Sequence, residues 1–80
     1  MYKDLLEYIV KNLVENPDKI TVEKLDENDK IVLKLSVEKA DMGRVIGKEG
    51  RISRSIREII SAYASKNHEK VSIVVDEIKE

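Results

Sequence analysis

The sequence predicts an α+β fold with two layers, a three-stranded mixed sheet and three helices on one of its faces, in the order α-β-β-α-α-β. Apolar residues recur with helical spacing near the N-terminus and over residues 51–66, and they alternate with polar residues in three shorter segments. A glycine-containing break separates two helical segments after the second strand. With 80 residues, 41% hydrophobic and 39% charged, the chain suits one globular domain, predicted over residues 1–80.

The first half of the chain predicts a helix followed by a β-hairpin. Residues 2–14 have helical periodicity, with Tyr2 and Tyr8 expected to pack the helix against the core, and Pro17 prevents its continuation. Residues 20–23 alternate as a short strand, residues 26–29 are a polar turn, and residues 31–37 alternate as a half-buried strand. Because the turn is short, we expect the two strands to pair in antiparallel fashion.

The second half predicts two helices that cross over to a last strand. Asp41 is suited to cap a one-turn helix over residues 42–46, a longer helix follows over residues 51–66, and residues 71–76 alternate as a strand. The face of the longer helix expected in the core consists of Ile52, Ile56, Ile59, Ile60 and Tyr63. A right-handed helical crossover makes its two strands parallel, so the strand over residues 31–37 should be central, in sheet order 1-2-3.

Positive charge is concentrated in one segment of an otherwise acidic chain. The protein carries 15 Lys and Arg against 16 Asp and Glu, a formal net charge of −1. Residues 43–57 hold five basic residues and one acidic residue, whereas the segments before and after are net negative. This segment contains every arginine of the chain, namely Arg44, Arg51, Arg54 and Arg57. Since a guanidinium group fits phosphate and stacks on bases, the segment predicts an anionic partner.

Two glycines in the same segment predict a tight loop between the two helices. Gly47 and Gly50 lie three residues apart, and glycine allows turns and close approach of another backbone. The longer helix begins at this loop, so its unpaired N–H groups and its dipole should favour a phosphate there. Lys48 and Arg51 add positive charge. The pattern indicates recognition of a nucleic-acid backbone, although two glycines alone would also suit a simple corner between helices.

The residues around these glycines resemble a known family. Residues 46–50, Ile-Gly-Lys-Glu-Gly, match the I-G-x-x-G signature of the KH (K-homology) domain, in which a G-x-x-G loop holds the backbone of about four nucleotides. The predicted order of elements resembles the type II arrangement of this domain over essentially the whole chain. A free-standing domain of this length is similar to the small single-KH RNA-binding proteins of bacteria, the KhpA group.

The resemblance implies which residues would contact RNA. Gly47 and Gly50 would hold the backbone, Lys48 and Glu49 would form the tip of the loop, and neighbouring residues would line or flank the groove. The full set is Arg44, Val45, Ile46, Gly47, Lys48, Glu49, Gly50, Arg51 and Arg54. Two departures stand out: Ser53 occupies a position that is often aliphatic in KH domains, and Glu49 places a carboxylate where phosphate would approach.

The resemblance also implies partners and a cellular setting. Proteins of this group form homodimers and pair with a larger KH-containing protein of the Jag/KhpB type, and the implied roles are RNA chaperoning and control of cell elongation and envelope synthesis. We therefore expect a cytoplasmic RNA-binding protein. The alternative is a dimerisation module with vestigial RNA binding or a preference for single-stranded DNA. For close helix approach, the longer helix offers a series of small residues, Ser61, Ala62, Ala64 and Ser65.

Other classes of function have little support in the sequence. The chain has one histidine and no cysteine, so the usual nucleophile–base pairs are missing and we expect neither catalysis nor a metal or other cofactor. The carboxylates near residues 26–29 lack the spacing of a calcium loop. No segment approaches the roughly 18 apolar residues of a membrane span, and we expect no membrane partner.

Overall fold

The computed structural model describes residues 1–79 and confirms the predicted α+β fold and order of elements. The helices and strands are α1 (Tyr2–Lys11), β1 (Thr21–Glu27), β2 (Lys30–Val37), α2 (Met42–Ile46), α3 (Arg51–Lys66) and β3 (Val71–Glu77). Single 3₁₀ turns lie in the connections, at Pro17–Lys19, Lys39–Asp41 and Lys48–Gly50. Glu80, the last residue of the predicted domain, lies outside the described residues. None of the described helices combines the length and apolarity needed to span a bilayer.

The sheet has the predicted order β1-β2-β3, with β2 in the centre. β1 and β2 are antiparallel, with Leu25 opposite Val32, and β2 and β3 are parallel, with Ile31 opposite Val71. β1 extends to Glu27, beyond the predicted end of the first strand. The turn narrows to two residues because Asn28 adopts a left-handed conformation (φ 48°), which asparagine tolerates better than most residues.

The helices cover one face of the sheet, and the core lies between the two layers. α1 contributes Leu6 and Val10, the central strand contributes Leu33 and Leu35, and α3 contributes Ile60, all of them inaccessible or nearly so. The opposite sheet face carries residues such as Glu23, Lys34 and Asp76, as expected for an antiparallel pair with one side in water.

The buried stripe of α3 is rotated relative to the face predicted from its isoleucines. Ser53, Ile56, Ile60 and Ala64 are buried, whereas Ile52 and Tyr63 are half-buried. Ile59 was expected in the core but is 53% exposed. The buried stripe therefore includes the small side chains of Ser53 and Ala64, and Ile59 lies outside it because it is about 100° away from Ile60 around the helix axis.

α1 is shorter than predicted and ends at Lys11 instead of residue 14. The side-chain amide of Asn12 donates to the carbonyl oxygen of Tyr8 at 2.7 Å and so takes over an acceptor at the end of the helix. The expectation that Tyr8 packs into the core is also wrong. Tyr8 is exposed because it lies opposite Leu6 and Val10 on the helix, whereas Tyr2 is buried as expected.

The C-terminal end of α3 is closed by a Schellman motif. His68 has a left-handed conformation (φ 59°), and its N–H donates to the carbonyl of Ser65 at 3.0 Å. The N–H of Glu69 donates to the carbonyl of Ala64 at 2.8 Å. The Tyr2 hydroxyl donates to the Glu69 carboxylate at 2.6 Å. These bonds attach the start of α1 to the end of α3.

Candidate nucleic-acid interface

The GxxG loop (residues 47–50) joins α2 to α3 through three residues with positive φ. Gly47 has φ 75° and ψ 174°, a region that is essentially restricted to glycine. Glu49 (φ 56°) and Gly50 (φ 73°) are both left-handed. The chain therefore turns sharply within the loop, and α3 begins directly after it, at Arg51.

The two glycines are required for different reasons. A Cβ atom at Gly47 would lie 2.6 Å from Cγ1 of Ile52, in the first turn of α3, so a side chain there would clash. At Gly50 the nearest atom would be Oγ of Ser53 at 3.9 Å, an ordinary contact, and only the left-handed backbone favours glycine. Gly47 thus allows the loop to lie against α3, while Gly50 allows the chain to enter the helix.

The backbone of the GxxG loop connects it directly to the N-terminus of α3. The N–H of Gly47 donates to Gly43 at 2.9 Å, and that of Gly50 donates to Gly47 at 3.1 Å. The loop therefore leads directly into a 16-residue helix, whose dipole favours an anion at its N-terminus.

Cationic side chains surround the tip, but they are not equally available. Lys48 is exposed and has no carboxylate within ion-pair distance among the described residues. Arg51 lies 3.6 Å from the carboxylate of Glu49, and both side chains are exposed. Arg54 reaches back toward the loop, where its guanidinium lies 3.5 Å from the carbonyl oxygen of Glu49. Lys48 and Arg54 are therefore the most accessible charges beside the loop.

Arg44, on α2, is held by two carboxylates. Its guanidinium donates to Glu15, in the connection after α1, and its Nε lies 3.9 Å from Asp41. Arg44 is predicted to flank the RNA groove, but its guanidinium is engaged in an ion pair with Glu15. The sequence does not reveal this contact because Glu15 and Arg44 are 29 residues apart.

Asp41 precedes α2 as predicted, but its side chain does not cap that helix. Its carboxylate accepts from the backbone N–H of Glu15 at 3.0 Å, and from the backbone and side-chain N–H groups of Asn16 at 3.1 Å each. The bond from Glu15 is the main cause that lowers the pKa of Asp41, and it outweighs the burial that would raise it. Asp41 therefore attaches the connection after α1 to the start of α2.

The structure places the two predicted groove-lining residues differently. Val45 is completely buried in the core, so its expected place on the groove surface is wrong: α2 turns this side chain toward the sheet and the other helices. Ile46 is half-buried. Ser53 is buried too, and its hydroxyl donates to the carbonyl of Gly50 at 3.2 Å, so it supports the loop from within.

A depression that the site prediction did not include lies between α3 and β3. It has a volume of about 230 Å³ and is lined by Arg57, Ser61, Val71, Ser72 and Ile73. Arg57 follows Arg54 by three residues, the spacing that places two side chains on one face of a helix. This spacing was the available signal in the sequence, whereas the position of β3 beside it depends on the folded sheet.

Comparison with known proteins assigns the chain to a family. Residues 3–75 match the family described as KhpA/KhpB, KH domain. The chain belongs to this KhpA/KhpB KH-domain family. The KH resemblance carried by residues 46–50 is thereby confirmed. No solved structure matches the chain significantly.

Several KhpA relatives are similar over almost their whole length. The RNA-binding protein KhpA of Chlamydia caviae is 42% identical over 77 residues, which cover 96% of this chain and 99% of that protein. The RNA-binding protein KhpA of Clostridium acetobutylicum is 44% identical over 73 residues, 91% of this chain and 97% of the relative. The Listeria monocytogenes protein of the same name is 41% identical over 75 residues, 94% and 99%.

Proposed function

We propose that this KhpA/KhpB-family chain binds the backbone of single-stranded RNA at the GxxG loop. The observation that carries the proposal is the combination of two positive-φ glycines with the exposed cations Lys48 and Arg54 at the start of α3. A phosphate can approach the start of this helix because neither glycine carries a side chain. The named RNA-binding function of the KhpA relatives supports the same ligand.

The chemistry of the site favours backbone contacts over base recognition. Lys48, Arg51 and Arg54 supply charge to phosphates, and the depression beside Arg57 offers a partly apolar surface along which the strand continues. With few cations on an acidic protein, affinity should be weak and should fall as salt rises from about 50 to 200 mM. Single-stranded DNA has the same backbone charge, so its affinity should be measured alongside that of RNA.

Fluorescence anisotropy with a pool of short single-stranded RNAs tests the proposal. The double variant Lys48→Asp, Glu49→Asp keeps both glycines and fills the loop tip with carboxylates, and we expect it to lose most of the affinity. Lys3→Asp makes the same change of charge on an exposed residue of α1 and serves as the matched control. Circular dichroism melts verify folding. Equal loss in both variants, or unchanged binding by the double variant, contradicts a role for the loop.

We further propose that the chain acts as an RNA chaperone in the cytoplasm with a larger KH-containing partner of the Jag/KhpB type, in cell elongation and envelope synthesis. The match to a family that covers both KhpA and KhpB supports a functional link between such proteins. Deleting the gene in its host and measuring cell length tests the cellular role, and unchanged length contradicts it.

One feature of α3 favours dimerisation as a second function, through a homodimer or a heterodimer with the KhpB-like partner. Ile59 is 53% exposed, and exposed Ala62 lies one turn further along the same face; Ser61 is exposed on the opposite side of the helix, and Ala64, also expected on this surface, is buried. A large apolar side chain beside a small one permits close contact with another helix. Sedimentation velocity at micromolar concentration tests this: the wild type should dimerise and Ile59→Lys should remain monomeric, while a monomeric wild type that also fails to bind the partner excludes the interface.

A further inference from the structure

Glu15 forms an ion pair with Arg44, one of the residues predicted to contact RNA. Arg44 lies three residues before Gly47, about 4.5 Å along a helix axis, so the backbone that carries its guanidinium lies close to the loop. In the structure that guanidinium donates to the carboxylate of Glu15. A carboxylate that accepts this hydrogen bond occupies a donor that could otherwise bind a phosphate.

The position of Glu15 is imposed by the fold. Its backbone N–H donates to Asp41, which is 1% exposed, and Asn16 donates to the same carboxylate twice. These bonds hold the connection after α1 against the start of α2. The side chain of Glu15 is therefore presented to Arg44 by a buried anchor.

The pair itself is weak enough to be opened by a ligand. The side chain of Arg44 is 50% exposed and that of Glu15 is 68% exposed. Ion pairs at such exposed positions contribute little to stability, because water and salt screen both charges. A phosphate near the loop can therefore replace the carboxylate on Arg44, while Asp41 and its hydrogen bonds stay in place.

We propose that Glu15 competes with RNA phosphate for Arg44 and thereby lowers the affinity of the loop for RNA. The inference rests on the proposed RNA binding and adds a residue outside the loop that sets its strength. Removing the carboxylate frees the guanidinium for one additional phosphate contact. RNA binding should then become both tighter and more sensitive to salt.

The test is a mutant cycle measured by anisotropy with the same RNA pool. Glu15→Gln should bind about two- to fivefold more tightly than wild type, the range given by the energy of an exposed ion pair. The slope of log affinity against log salt should steepen by about 0.7, the value for one added phosphate contact on a single strand. In an Arg44→Gln background, Glu15→Gln should have no effect on affinity.

A matched control separates the pair from overall charge. Glu7→Gln removes an identical charge from a carboxylate that pairs with Lys11 on α1, and it should leave RNA affinity within about 1.5-fold of wild type. Equal gains in Glu7→Gln, or a gain that persists without Arg44, overturn the competition. Wild-type binding that Glu15→Gln leaves unchanged overturns it as well. Absence of RNA binding in both wild type and Glu15→Gln overturns the proposed RNA function and this inference together.

Discussion

The two ends of α3 have similar backbone conformations and different roles. At the start, which we call the open end, Glu49 and Gly50 are left-handed, and the loop carries the exposed side chain of Lys48. At the end, His68 is left-handed, and the N–H groups that follow α3 donate to its last carbonyls. Left-handed residues therefore form an exposed cationic loop at one end and satisfy backbone acceptors at the other, which we call the closed end. The open end suits a ligand, and the closed end stabilises the fold.

Gly47 is the position where a single substitution should break the open end most severely. Gly47→Ala would place a Cβ 2.6 Å from Ile52 in a backbone region that alanine avoids, so we expect a loss of about 3 kcal/mol in the free energy of unfolding. Gly50→Ala, which has the space but the wrong backbone, should cost about 1 kcal/mol. Urea denaturation of both variants measures the difference. Equal losses would show that the contact with Ile52 does not decide the requirement for glycine.

The closed end is expected to depend on the hydroxyl of Tyr2. Tyr2→Phe removes the bond to Glu69 and the one accepted from Asn67 at 3.2 Å, so the variant should be less stable than wild type at neutral pH. The hydrogen bond to Glu69 is the largest cause that raises the pKa of Tyr2.

The raised pKa of Tyr2 determines how the stability difference between wild type and Tyr2→Phe should change with pH. The neutral phenol is the form that the fold favours, so its contribution is complete below the unfolded pKa of about 10 and disappears as pH rises through the higher folded value. The stability difference between wild type and Tyr2→Phe should therefore shrink above about pH 10. Chemical denaturation from pH 7 to 11 measures it. A difference that stays constant would show that the hydroxyl contributes nothing through its proton.

The open end could be located from sequence because its chemistry is local. Two glycines, a lysine and the start of a helix lie within a few residues, and the alternation of β2 and the periodicity of α3 predict the elements on either side. The pairing of Arg44 with Glu15 could not be predicted, since these residues are 29 positions apart and meet only after the chain has folded. Similarly, periodicity placed Ile59 in the core because it cannot show which side of a mostly apolar face turns to the sheet.

His68 provides the smallest and most specific test of the closed end. A non-glycine residue at φ 59° carries a steric cost that glycine avoids, so His68→Gly should stabilise the protein by about 0.5 kcal/mol, after the greater flexibility of glycine in the unfolded chain is subtracted. For a domain of this size the melting temperature should rise by roughly 2–4 °C. His68→Ala is the matched control, because it removes the imidazole and keeps the Cβ atom, and it should not increase stability. A gain in both variants would assign the effect to the imidazole, and a gain in neither would show that the left-handed backbone at the end of α3 stores no appreciable strain.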